Sequence, residues 1–321
     1  MEVSTVIRTD NVRQGIGCML LAVSVFSLLN VLVKTLTSAG YPVAEVAFFR
    51  NLCAMPVVMA MISLGGDWRQ IRTRHLGGHL WRSTIGLTCM LLMFLAFDLL
   101  PLADAVAFSF AAPLFVTALS VPLLGEKVGI HRWGAVMVGL VGVLVMLRPG
   151  GAMLNPGVIA ALASALCQAL AMIAIRQLSR TEAPLATVFY FTLFSTILCI
   201  CLLPFGWRTP VGWDWALVAG LGVVGGIAQY FVTRAHALAP AALIAPFNYM
   251  ALLWAALFGF ILWGEVPDHL TLAGAAIVMA SGLYIIYRES RRRLPVSAGC
   301  PATRGGVATP MPETVGETGP R

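Results

Sequence analysis

A few side chains able to hold a solute lie inside long apolar runs of this 321-residue chain. Ser109 and Asn248 occupy matching positions, eight residues after Pro101 and Pro240. Each is flanked by aromatics, Phe108 and Phe110 in one case, Phe247 and Tyr249 in the other. A hydroxyl or amide between aromatic faces suits a planar or amphipathic solute. The same groups could serve only to hydrogen-bond one helix to another, and both readings stand. Asn30, Gln168, and Gln229 with Tyr230 add donors and acceptors, with the same two readings open. Trp254 reads as a packing residue. Arg50 lies well inside an apolar run and stays charged, so it needs a carboxylate, carbonyls or water. Glu45, Asp98, Asp104 and Glu265 are candidate partners. Arg50 therefore attracts an anionic group, forms a gating ion pair such as one with Glu45, or ties its helix to a neighbour. The sequence carries no HExxH, GxSxG, Walker loop or Cys/His ligand cluster. No catalytic residue, metal site or cofactor is expected.

These residues must be positioned by helices in a bilayer. Hydrophobic residues make up 59% of the chain and charged residues 11%, and the mean hydropathy is +0.87. Soluble domains carry about 25% charged residues, so this chain has too little polar surface to cover a water-soluble body. A net charge of +7 does not point to nucleic acid, because Lys and Arg fall between apolar runs. The seven cysteines are scattered and form no CxxC; they read as small packing residues. Windows of about 20 apolar residues predict ten spans, at 15–36, 43–64, 80–99, 102–124, 131–147, 157–178, 185–204, 214–236, 240–263 and 269–287. With both termini in the cytoplasm, most of the 21 Lys and Arg fall on the cytoplasmic side, Arg82 among them. Lys34, Arg148 and Arg208 fall toward the outer side.

The chain also repeats itself. Residues 15–50 match 157–192 at an offset of 142, and from Pro101 onward the offset is 139. Pro101–Glu126 aligns with Pro240–Glu265, placing Gly125-Glu126 on Gly264-Glu265; Arg50 faces Thr192. Two halves of five spans each, 15–148 and 157–288, must sit in opposite orientations because five is odd. That is the inverted repeat of secondary carriers, with the solute held near the midplane. Residues 1–14 read as a cytoplasmic segment and 289–321 as a disordered cytoplasmic tail. Glu126 and Glu265 read as structural turn residues, each partnered by the N-terminal end of a following or neighbouring helix. Pro113 and Pro246 interrupt spans 4 and 9, as hinges or as static bends. Gly220–Gly225 satisfies GxGxxG but lies inside an apolar run with no strand before it, so the dinucleotide reading fails. Gly222 and Gly226 form a face for close helix packing instead.

Two five-helix halves, each ending in an apolar run, Gly-Glu, a turn, Gly and a second apolar run, resemble the EamA family of the drug/metabolite transporter superfamily. The residues that carry the resemblance are Phe48-Phe49-Arg50, Pro113–Glu126, Gly134–Gly142, Pro240–Glu265 and Gly274–Gly282. It implies an all-α polytopic membrane protein of ten helices. Spans 1, 3, 4, 6, 8 and 9 would line a central cavity, with the fifth and tenth supporting. It also implies alternating-access transport of a small metabolite across a bacterial-type inner membrane. The uncharged polar and aromatic candidates favour a neutral, zwitterionic or aromatic solute. A polytopic enzyme acting on lipid is the alternative. The expected partners are a small-molecule substrate and the bilayer, with room for a homodimer.

Overall fold

A computed structural model describes residues 9–64, 68–124, 129–147, 155–178, 181–238 and 244–293. Among them all regular structure is helical. The helices are α1 (Thr9–Ser38), α2 (Val43–Leu64), α3 (Leu76–Leu99), α4 (Leu102–Ser109), α5 (Ala112–Leu124), α6 (Ile130–Leu147), α7 (Pro156–Leu178), α8 (Pro184–Leu202), α9 (Asp214–Leu238), α10 (Met250–Trp263) and α11 (His269–Arg293). Among the described residues, eight spans, not the predicted ten, are long and apolar enough to cross a membrane. Two further apolar helices, Trp133–Leu147 and His269–Ile285, are shorter.

The structure departs from the predicted boundaries in physically legible ways. Span 4 is not one helix. It breaks at Phe110-Ala111 into α4 and α5, because Pro113 has no N–H to offer the Ser109 carbonyl. The ninth span opens as a 3-10 turn, Ala245–Tyr249, around Pro246. Helix α3 starts at Leu76 rather than at 80, which carries Arg82 from the third residue of the predicted span to the seventh of the helix. Residues 9–14 and 289–293, predicted as polar ends, are helical. The rest of the predicted N-terminal segment, the tail from 294 and Glu126 lie outside the described residues.

Helix α1 packs along α9 and α3 packs along α7. Exchanging the halves turns the first of these partnerships into the second. Helices α6 and α11 pack on each other. In lipid the hydrophobic effect does not drive helices together, so contact depends on small residues that let backbones approach. Helix α7 presents Ala161, Ala165 and Ala169, each 0% exposed. At Gly222 of α9 a Cβ would lie 2.0 Å from Cys53 Cβ of α2, and at Gly226 it would lie 2.7 Å from Val57 Cβ. The GxxxG face is therefore a true backbone contact. Gly142 and Gly274 do the same for α6 and α11: a Cβ on Gly142 would sit 2.8 Å from the Gly274 carbonyl oxygen.

Candidate functional site

The two helix breaks place Ser109 and Asn248 where the chain is least regular. Ser109 is the last residue of α4, and its hydroxyl donates to the Val106 carbonyl at 2.6 Å. Asn248 sits in the 3-10 turn before α10 and is exposed. Phe110 and Tyr249, equivalent in the repeat, meet edge to face with ring centroids 5.1 Å apart. The two breaks thus touch each other through aromatic rings. Tyr249 also reaches α11, where its hydroxyl lies 2.5 Å from where a Cβ on Gly282 would be.

The other predicted residues distribute unevenly around this centre. Phe108 is buried in the main apolar core. Phe247 packs with Trp254 against Met19, Val23 and Ile244. Trp254 stacks on Phe258 and keeps its buried indole N–H unpartnered, so it offers a donor that packing does not consume. Asn30 of α1 is partly exposed. Gln229 and Tyr230 are partly exposed on α9, and the Tyr230 hydroxyl accepts from Arg234. Gln168 lies on an exposed face of α7.

Charged groups sort into three sets. At the end of the bundle that carries the α1–α2 turn, Lys34 is 4% exposed. Its Nζ donates to Glu265 Oε1 and, at 2.9 Å, to the Leu100 carbonyl, and it lies over the Trp263 ring. Glu265 Oε2 accepts from the Leu102 N–H at 2.9 Å, at the first turn of α4. The expected partner of Glu265, the N-terminal end of a neighbouring helix, is present; Lys34 is the addition. Gly264 makes the turn possible with φ +66°, a left-handed conformation that favours glycine.

The second set joins loops to helix starts at both ends of the bundle. At the Lys34 end, Tyr41 donates to Asp214 Oδ2 at 2.6 Å. That hydrogen bond raises the Tyr41 phenol above its ordinary value, so the phenol stays protonated. Glu45 Oε2 accepts from the Arg208 N–H at 2.8 Å. At the opposite end, Thr73 donates to Glu182 Oε1 at 2.8 Å, and His79 Nε2 lies 3.5 Å from Glu182 Oε2. The Tyr190 ring lies tilted against His79, and its hydroxyl donates to the Ile71 carbonyl at 3.0 Å.

The third set is Arg50 and Arg82. Arg50 Nη1 donates to Asn51 Oδ1 at 2.9 Å, while its Nε is buried and unpartnered. Neither Glu45 nor Glu265 takes Arg50: Glu45 Oε2 accepts from the Arg208 N–H while its Oε1 is buried without a partner, Glu265 holds Lys34, and Asp98 is exposed near the end of α3. Arg82 was predicted to flank the bundle on the cytoplasmic side. It instead points inward, with Cζ 3.9 Å over the Phe191 ring of α8 and both Nε and Nη1 buried without partners. The only sequence signal was a charged residue at the edge of an apolar window, which reads equally as a flanking residue.

Comparison with known proteins places this geometry in context. The model of the EamA-like transporter family matches residues 13–148 and again residues 155–288. The pseudopaline exporter of Pseudomonas aeruginosa is 30% identical over 274 residues, covering 85% of this chain and 95% of the relative. The S-adenosylmethionine uptake transporter of Rickettsia felis is 28% identical over 277 residues, covering 86% and 94%. The riboflavin transporter of Vibrio cholerae is 30% identical over 284 residues, covering 87% and 95%. A solved crystal structure covering 90% of this chain and 99% of its own superposes with a TM-score of 0.59 at 21% identity, and so shares the fold.

Proposed function

The chain belongs to the EamA-like transporter family and is a multi-pass membrane transporter of a small metabolite; on that premise we propose that it works by alternating access between two five-helix halves of opposite orientation. The solute is a small neutral, zwitterionic or aromatic metabolite held near Ser109 and Asn248. The single observation that carries this reading is the pair of matched helix breaks meeting at Phe110 and Tyr249. Broken helices free backbone groups for a solute, and irregular backbone inside a membrane is stable only where it is enclosed by protein or lines a cavity. Each break lies about 12 Å into a core of about 30 Å. Inverted halves bring the two breaks toward the midplane from opposite sides.

Spans 1, 3, 4, 6, 8 and 9 would line the path, with α6 and α11 as a supporting pair. The proposed setting is a bacterial-type inner membrane with both termini cytoplasmic. That placement rests on the distribution of Lys and Arg between spans. The sequence carries no ATP-hydrolysing motif, so a solute or ion gradient, or a partner protein, would drive the cycle. Proteoliposomes holding the purified chain test the reading with a panel of radiolabelled amino acids, vitamins and nucleobases. Saturable flux of at least one solute is the expected result. Turnover of lipid with no solute flux would replace it with the membrane-enzyme alternative.

A further inference from the structure

Among the described residues, Arg50 and Arg82 are cations inside membrane-crossing helices that no carboxylate compensates. Arg50 is seven residues into α2 and Arg82 six residues into α3. Consecutive helices run in opposite directions, so each guanidinium enters about 10 Å from its own end of the bundle. They reach toward each other from the two sides of a core about 30 Å thick. The two groups lie within electrostatic reach of one another. Each is enclosed by protein yet keeps some accessible surface. A charge held inside a membrane-crossing helix is expected to face protein or a water-filled space rather than lipid.

Two like charges in low dielectric repel, and unpaired buried donors cost free energy. A purely structural arginine is expected to be paired off, as Lys34 is. Here Arg50 Nε and Arg82 Nε and Nη1 point at no acceptor. The surroundings hold the guanidiniums in place instead. Phe191 covers one face of Arg82, and Asn51, itself donating to the Ala47 carbonyl at 2.9 Å, fixes one edge of Arg50. Gly86 and Gly225, equivalent at the offset of 139, each lie against one guanidinium. A Cβ on Gly86 would sit 3.0 Å from Arg82 Nη1 and 2.9 Å from Phe191 Cε2; one on Gly225 would sit 3.5 Å from Arg50 Nε.

We infer that Arg50 and Arg82 form a site for the carboxylate of the transported solute, which offsets part of their charge and accepts from the open N–H groups. The site deepens the proposed transporter reading and rests on it, narrowing the solute to one that bears a carboxylate. Guanidinium pairs with carboxylate through short, charge-assisted, often forked hydrogen bonds. A phosphate monoester carries about two charges and three oxygens and competes for the same donors, so phosphate stands beside the acids in the test. Both arginines belong to the first half, and Thr192 and Leu221 stand at their places in the second. The carboxylate is therefore anchored by one half, while the aromatic breaks are shared by both.

Thermal unfolding of the purified full chain in detergent, at constant ionic strength, tests the site. The probes are benzoate, phenylalanine and succinate, each beside its amide, together with inorganic phosphate. At least one acid should raise the Tm of the wild-type protein while its amide does not. Arg50→Met and Arg82→Met should each weaken that acid about 10-fold or more, and Arg50→Lys and Arg82→Lys should keep part of the effect. Equal protection by acid and amide, protection by phosphate alone, no protection by any acid, or full protection in both Met variants would overturn the site. Flux in proteoliposomes separates the two readings. Acid binding with no solute flux leaves the site standing and removes the transporter. Wild-type flux in both Met variants removes the site and leaves the transporter.

Discussion

Lys34 and the Arg50/Arg82 pair are intramembrane cations treated in opposite ways. Lys34 has a carboxylate, a carbonyl and an indole face around its ammonium. Arg50 and Arg82 have an amide and a phenyl ring between them, and three buried N–H groups with no acceptor. The satisfied cation joins three elements: the end of α1, the turn after α10 and the start of α4. Arg82 rests on the Phe191 ring of α8 and Arg50 bonds only its neighbour Asn51, so neither charge is tied to an acceptor on another element. A charge that has found its partners holds a fold together. A charge left without them costs the fold free energy and is retained for something that arrives from outside.

Substitutions can break or sharpen that contrast. The largest effect is expected from Glu265→Gln, which strands Lys34 in the interior. Losing one partner of a buried pair costs on the order of 3 kcal/mol or more, read as a large fall in Tm. Replacing both partners, as in a Lys34→Met, Glu265→Leu double variant, should recover most of it. If Glu265→Gln unfolds like the wild type, the pair is not the structural element described. Next come Arg50→Met and Arg82→Met, which remove uncompensated charge. Each should leave the ligand-free protein as stable as before or raise it by about 1 kcal/mol. A clear loss in either would show that arginine to be structural and erase the contrast.

Smaller effects concern the solute path. Ser109→Ala and Asn248→Ala should each weaken transport about fivefold, as expected for one hydrogen bond of about 1 kcal/mol, with the yield of folded protein unchanged. Normal transport by both variants would move the solute elsewhere. The smallest differences separate the two glycines. Gly225→Ala meets only ordinary contact with Arg50 Nε, so its effect on acid binding should be close to nil. Gly86→Ala must displace Phe191 and should weaken acid binding a few-fold while the fold persists.

Much of this was legible in the sequence. The pattern of apolar runs located eight membrane-crossing spans and two shorter apolar helices among the described residues, because a bilayer demands long uninterrupted apolar stretches. Pro113 and Pro246 announced both breaks, since a missing N–H is a local property. Gly222 and Gly226 announced a close contact, and the Gly-Glu turn announced a structural acid. Arg82 was less legible. It lies at the edge of an apolar window, where a charge reads as a flanking residue. The start of α3 at Leu76 sets it deeper, and the packing of Phe191 on it turns it inward.

The sequence by itself determined that the chain is a helical membrane protein, that its halves repeat, and where its helices break. These properties follow from composition and from neighbours along the chain. The tertiary structure alone decided which charges are paired. Lys34 and Glu265 are 231 residues apart, and Arg82 meets Phe191 across two helices. Coulombic and stacking interactions act through space, so whether a buried cation is satisfied depends on which helices pack beside it. That packing assigned Lys34 to the scaffold and left Arg50 and Arg82 open.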